Sequence, residues 1–228
     1  MALDDCINPK IGKSIFACET IFDHAAKANQ SPYPWAQNIV AAGLLKQVKG
    51  RWACLFLDFR FYLARKTITA AKNNAKIKGA VVPFQTKLAQ AGQMLIGIGS
   101  HFATSPLLVV TDSWFGNDGL WRPVRGVLGD RFHILSRLRC NNVLSAQPDV
   151  AQPGQRGRRR KYGKRLGSVT DRAAEVRQKA KPYPVNLYGK RRDVCAYDEV
   201  VMLKTLKCPV RVVWVFRKTQ WVAMFSTH

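Results

Sequence analysis

The chain is short of acid. It carries 14 Asp and Glu against 37 Lys and Arg, a formal charge of +23 in 228 residues. No acid at all stands between Phe59 and Thr111. A chain so biased is expected to meet a polyanion, with DNA or RNA ahead of an anionic membrane. Long hydrophobic runs are also lacking. The run IVAAGLL at 39–45 is far below spanning length, so no membrane partner is expected. The opening MALDDC holds two acids and no basic, apolar leader, which points to a cytoplasmic, nucleoid-associated protein. Zinc chemistry lacks its residues: the six cysteines form no CxxC pair and the four histidines are scattered. Most of Cys6, Cys18, Cys54, Cys140, Cys195 and Cys208 stand in apolar stretches. They read as small core residues in a reducing compartment.

What is present is apolar matter sufficient for one large domain, or for one domain with an insertion. The segment KSIFACETIF (13–22) reads as a strand, and the proline-bearing HAAKANQSPYPW (24–35) as a loop. WAQNIVAAGLL (35–45) is a buried strand or a short helix, which periodicity alone does not decide. KGRWACLFLDFRFYLARK (49–66) is expected to continue the apolar core, and KNNAKIKG (72–79) to be an exposed connector. Phe84, Leu88, Ala91, Leu95 and Ile98 recur at helical spacing behind Pro83. PLLVVTDSWFG (106–116) predicts a buried strand ending in Asp112. NDGLWRPVRGVLG (117–129) predicts a helix capped by Asn117 and stopped by Gly129, with Leu120, Val124 and Val127 inward. RFHILSRLR (131–139) is a further strand. Helix, strand, helix, strand at this spacing predicts an α/β layer with adjacent parallel strands. Residues 145–167, rich in Pro, Gly and Arg, should form a mobile loop. The last part is β-like, with PVRVVWVFR (209–217) and QWVAMFS (220–226) as a hairpin around Lys218 and Thr219.

Asp112 is the sharpest candidate for chemistry. A carboxylate at the carboxyl end of a buried parallel strand lies where α/β sheets place their ligands, although a turn or cap aspartate would look the same. Its partner is the doublet Asp4–Asp5, or Asp58, which sits within CLFLDFRF, or a residue beyond Asp112. Carboxylates on neighbouring strands suit phosphodiester cleavage, because Mg²⁺ takes hard oxygen ligands and can clamp the attacking and leaving oxygens. The run RGRRRKYGKR supplies Arg156, Arg158, Arg159, Arg160, Lys161, Lys164 and Arg165, a basic arm able to track phosphates or enter a minor groove. Lys190, Arg191 and Arg192 form a second cluster beside NLYG.

The order LDD, TDSWFG, RFHILSRLR, GRRRKYGK, NLYGK and FST resembles the insertion-sequence transposases with an RNase H-like DDE domain, and more narrowly their insertion-sequence-4-like group. The resemblance covers nearly the whole chain; LLVVTDSWFG and HILSRLR with GRRRKYGK are its most specific stretches. It implies an α/β fold, an RNase H-like mixed sheet with flanking helices over 1–142 and a basic loop with a β-rich insertion over 143–228. It implies a metal-dependent endonuclease that cuts and joins transposon DNA with Mg²⁺ or Mn²⁺. Asp4 and Asp112 would be its catalytic acids, Asp5 would stand beside them at the metal, and Asp58 would fall in a non-catalytic stretch. Double-stranded DNA, as transposon ends and target, would be its partner, together with a second copy of the chain. The resemblance also implies a third acid, a Glu on a helix beyond FST. The chain stops at His228, and Glu199, in a strand-like context, is a poor substitute. The expectation is an inactive fragment, truncated at both ends and with little or no nuclease activity because the third acid is missing; the alternative is a non-catalytic DNA-binding derivative.

Overall fold

The computed structural model describes residues 1–12, 14–70, 75–77, 80–149, 157–187, 189–218 and 220–228. The chain divides into two compact units: Met1–Lys46 with Cys54–Ala103, and Gln47–Ala53 with Thr104–His228.

The first unit is built on antiparallel strands. β1 (Ala2–Pro9) pairs along its whole length with β3 (Trp35–Val48), from Ala2 opposite Gly43 to Pro9 opposite Ala36. The short β2 (Cys18–Thr20) pairs with the start of β3, and β4 (Arg51–Tyr62) also pairs with β3. α1 (Arg65–Ala70), the small hairpin β5 (Ala75–Ile77) and β6 (Ala80–Val82), and α2 (Lys87–His101) follow. The 35–45 segment is therefore a strand. Its Ala36, Val40 and Ala42 are buried, as period-two alternation requires. α2 starts at Lys87 because the Thr86 side chain accepts from the Ala89 amide, and it buries Ala91, Met94 and Leu95.

Two expectations fail in this unit. Only Cys18–Thr20 of the 13–22 segment is a strand; Ala17, before it, has φ 59°, outside any strand geometry. β4 does not continue the core. Leu55, Phe56, Leu57 and Phe59 are all exposed, Phe56 at 73%. The sequence RWACLFLDFRFY has no polar alternation, so apolar side chains stand on both faces of the strand and neither can be wholly covered.

The second unit holds a mixed sheet. β7 (Leu107–Thr111) and β8 (Phe132–Arg137) are parallel and in register from Leu107 opposite Phe132 to Thr111 opposite Ser136. α3 (Asp118–Leu128) is the connection between them, as a parallel pair demands. β9 (Val143–Ser145), β10 (Arg165–Ser168) and α4 (Val169–Val176) come next, then β11 (Lys181–Leu187), β12 (Lys190–Leu203), β13 (Cys208–Arg217) and β14 (Gln220–Ser226). Within the unit the strand order is β10-β9-β12-β13-β14-β8-β7, with β11 on the free part of β12. All pairs but β7 with β8 are antiparallel. β14, from the region expected to be an insertion, pairs with β8, from the region expected to be the core. The parallel layer and the β13–β14 hairpin match the sequence expectation; Thr219 lies outside the described residues.

α3 has Asn117 as its cap, accepting from Gly119, and Gly129 at φ 61° as its stop. Leu120 and Val124 are fully buried, but Val127 is 61% exposed and Leu128 takes its place inward. The 3.6-residue period, run from Leu120 through Val124, favours Leu128 over Val127. The cysteines also depart from expectation: Cys6, Cys54, Cys140 and Cys195 are exposed, Cys208 is half-buried, and only Cys18 is buried. On a strand each position falls alternately in and out, so an apolar neighbourhood in sequence does not fix the face.

Among the described residues no helix is long and apolar enough to cross a membrane.

Candidate nuclease site and nucleic-acid interface

In the first unit, β1 presents Asp4 and Asp5 to opposite faces, because successive strand side chains alternate. Asp4 is exposed, and its Oδ1 accepts from the Asp5 amide at 2.9 Å. Asp5 is half-buried and takes the Lys87 ammonium of α2 at 2.5 Å. Lys87 also lies over the Tyr62 ring, 5.2 Å from its centroid. One acid of the doublet is thus committed to a helix, and the other is exposed on the opposite face of the strand. Asp58 is half-buried on β4.

In the second unit, Asp112 follows directly on β7, where the sheet ends and α3 has not begun. Its Oδ1 accepts from the Trp114 amide at 2.9 Å and the Phe115 amide at 3.2 Å, an Asx turn that fixes the carboxylate. Among the described residues its Oδ2 receives no hydrogen bond or cation. The carbonyl of Asp112 accepts from the Ser136 hydroxyl of β8 at 2.6 Å and from Thr111 Oγ1 at 2.7 Å. Gly116 makes the turn possible: a Cβ there would lie 2.8 Å from Ser136 Cβ and 3.1 Å from the Phe225 ring. The turn reading and the ligand reading of Asp112 are therefore compatible: one oxygen makes the turn and the other is presented to solvent.

A hard, exposed and uncommitted carboxylate oxygen suits a hard divalent cation. Asp5 does not suit one while Lys87 holds it. Among the described residues no three of His, Cys, Asp or Glu gather closely enough to hold a metal. Glu199 serves another purpose. Its two oxygens take Arg172 Nε and Nη2 at 2.7 and 2.6 Å, and Glu175 takes Arg172 Nη1 at 2.6 Å. The Glu199 carboxylate, above all, drives the Arg172 guanidinium further toward its charged form. The fork ties α4 to β12, so neither late glutamate is free to bind metal.

The basic arm is only partly loose. Arg156 lies outside the described residues. Arg158, Arg159 and Arg160 are exposed, and no described carboxylate pairs with them. Beyond them the chain is fastened, contrary to a mobile loop through 167. The Gly163 amide donates to the Ala146 carbonyl at 3.0 Å, the Ala146 amide to the Lys164 carbonyl at 2.8 Å, and Arg165 opens β10 opposite Ser145. Gly163 allows this approach, since a Cβ there would lie 2.9 Å from the Gln147 carbonyl carbon. Lys161 lines a cavity of about 350 Å³ with Trp121, Arg122, Arg125 and Lys207. Asp118, at its edge, bonds Arg122 and Lys207, each at 2.7 Å. The Cys208 thiol in the same lining is pushed up to about 11 by burial and then by the Asp118 carboxylate.

Three features here escaped the sequence reading. Ser136 and Gly116, which build the Asp112 turn, carry no local signal, because their roles depend on β8 lying beside β7. α4 did carry one. Ser168 and Asp171 form a capping box, the Ser-x-x-acid signature of a helix start.

None of the curated proteins matches the chain. The family model described as DDE superfamily endonuclease matches residues 1–194, which takes in Asp4, Asp5, Asp112 and the whole basic arm. With most of its length so matched, the chain belongs to the DDE superfamily endonucleases.

Proposed function

We propose that the chain is a DDE-type DNA transposase of the insertion-sequence-4-like group, with an RNase H-like catalytic domain that cuts and joins transposon DNA. The observation that carries the reading is Asp112, a carboxylate at the end of a parallel strand with one oxygen locked and the other exposed. Asp4 and Asp112 would hold Mg²⁺ or Mn²⁺, which when bound polarises the scissile phosphate and favours its attack by water or a strand end. Asp5 supports the site by fixing β1 to α2 through Lys87. The Asx turn and the Ser136 hydroxyl hold Asp112 in place, so no reorganisation is needed when a phosphate arrives. Arg158, Arg159 and Arg160 neutralise backbone phosphates of the duplex, and a second copy of the chain would take the other transposon end.

A second reading, a DNA-binding derivative without catalysis, is favoured by one observation: Glu175 and Glu199 are both spent on Arg172. The test separates the two. With supercoiled DNA and Mn²⁺, the chain should nick slowly, because no three described acids gather at one point. Asp4→Asn and Asp112→Asn should each remove that nicking. Nicking indifferent to both substitutions would overturn the assignment; DNA binding with no nicking under any metal would favour the second reading.

A further inference from the structure

The cavity of about 350 Å³ that Lys161 lines lies within the second unit and takes no part in the cleavage proposed for Asp112. Its walls are α3, Lys161 of the basic arm and the turn between β12 and β13. These walls are fastened. The Asp118 amide, at the start of α3, donates to the Thr205 carbonyl of that turn at 2.8 Å. The Lys207 amide donates to the Leu203 carbonyl at 2.7 Å, and Leu206 is buried. On the side of the arm, the bonds between Gly163, Ala146 and Lys164 hold the chain just beyond Lys161.

Arg122, Arg125, Lys161 and Lys207 line this space, and Asp118 is the one acid of the lining among the described residues. Asp118 is already shared by Arg122 and Lys207. Arg125 donates to the Phe132 carbonyl at 3.1 Å and pairs with Asp130, whose side chain is 97% exposed and so offsets little of its charge. The Lys161 ammonium meets no carboxylate among the described residues. Four cations around one shared carboxylate repel one another. A multidentate anion relieves that repulsion. A carboxylate offers two oxygens and a single charge; a phosphate at the end of a molecule offers three oxygens and nearly two charges, to guanidinium and ammonium alike. A phosphate inside a DNA backbone is linked on both sides and turns only two free oxygens outward. The cavity stands at the lower end of the roughly 300–1,000 Å³ of small-ligand sites, which suits one phosphate or diphosphate group.

We propose that this cavity binds a terminal phosphate group, free or at the end of a larger molecule, between Lys161 on one wall and Arg122, Arg125 and Lys207 on the others. The occupant clips the root of the basic arm to α3, and so fixes the point from which Arg158, Arg159 and Arg160 extend. The inference stands apart from cleavage, since none of its residues belongs to the Asp112 turn.

Pyrophosphate is the probe, titrated into the full chain by calorimetry at constant ionic strength and without divalent metal. One equivalent should bind. Lys161→Ala and Arg122→Gln should each weaken it about tenfold, the size of one charge-assisted bond. Lys190→Ala, on the β11–β12 turn, should leave it unchanged. Cys208 locates the site. At pH 9 its alkylation, followed by mass spectrometry, should slow at saturating pyrophosphate while that of the exposed Cys195 continues. A 5′-phosphorylated oligonucleotide and its 5′-hydroxyl twin then identify the source of the group. Displacement of pyrophosphate by the phosphorylated strand alone assigns the cavity to a DNA end; displacement by neither assigns it to a free phosphate compound. Either result upholds the site. Displacement by both alike would overturn the proposal, because an internal phosphate would then suffice. So would an absence of binding, an affinity indifferent to Lys161→Ala and Arg122→Gln, or a Cys208 equally reactive with and without pyrophosphate.

Discussion

At the scale of single residues, the Asp112 turn is held by small side chains that can be tested without touching the carboxylate. Gly116→Ala would force a Cβ to within 2.8 Å of Ser136 Cβ and 3.1 Å of the Phe225 ring, two residues paired across β8 and β14. Overpacking of this kind costs about 1–3 kcal/mol. The strain would fall on the Ser136 hydroxyl and on the Asp112 carbonyl it holds. The variant should melt earlier by calorimetry and lose Mn²⁺ affinity as well. A loss of stability alone would show that the turn is not coupled to the ligand position. Cys208 offers a test of the basic cavity's interior. With its thiol pushed to about 11 by burial and the neighbouring Asp118, little thiolate forms at pH 8. Alkylation there should be much slower than at the exposed Cys195, and should accelerate only as the pH rises toward that value. The sign follows from the raised value: the native fold favours the neutral thiol. Stability that depends on that thiol is intact below the unfolded value and is lost as the pH climbs through the folded one. Equal rates at pH 8 would refute the burial.

At the scale of elements, the Arg172 fork fastens α4 to β12. Glu199→Gln would keep the shape and remove the charge that Arg172 Nε and Nη2 grip. Charge-assisted bonds of this kind contribute about 1.5–3 kcal/mol, and both side chains are largely shielded from solvent, so urea denaturation should show a loss in that range. A silent substitution would mean that the fork is ornamental, and would return Glu199 to the list of possible metal ligands. The elements also show what a sequence can disclose. α2, α3, β7, β8 and the β13–β14 hairpin were legible because each combines a periodic apolar pattern with a clear stop or turn. β4 misled because its apolar content is not patterned. Composition says that Trp52, Leu55 and Phe56 would gain from burial, but nothing local says whether a neighbour exists to bury them. The end of the basic arm misled for the opposite reason: its Gly and Arg content reads as a loop, while Gly163 is there to let backbone approach backbone. At the candidate site Asp112 was legible from its strand. The commitment of Asp5 to Lys87 was not, since it depends on α2 returning over β1 from far along the chain.

At the scale of the whole molecule, charge dominates. With +23 over 228 residues, duplex DNA should be bound through many phosphates and with little regard to sequence. The logarithm of affinity should fall steeply and linearly with the logarithm of salt concentration. Replacing Arg158, Arg159 and Arg160 by Ala should reduce that slope by about 3, near 0.9 for each phosphate contact removed. An unchanged slope would mean that the arm does not carry the backbone contacts, whatever its charge.

The pairing of β14 with β8 has a consequence for how the second unit comes into being. β8 meets β7 across one helix, but its other edge waits for Met224–Ser226, made far later in synthesis. Thr227 then clips β8 once more, its hydroxyl accepting from the Ile134 amide at 2.9 Å and its own amide donating to the Ile134 carbonyl at 3.1 Å. Until those residues emerge, a central strand has an open edge and the Asp112 turn lacks the Phe225 ring that backs Gly116. Closure across so long a stretch of chain is a slow step, dominated by the entropy of bringing its ends together. A nascent chain halted before β14 would therefore hold Asp112 on an unfinished sheet, so the Asp112 turn is completed only once β14 has joined β8.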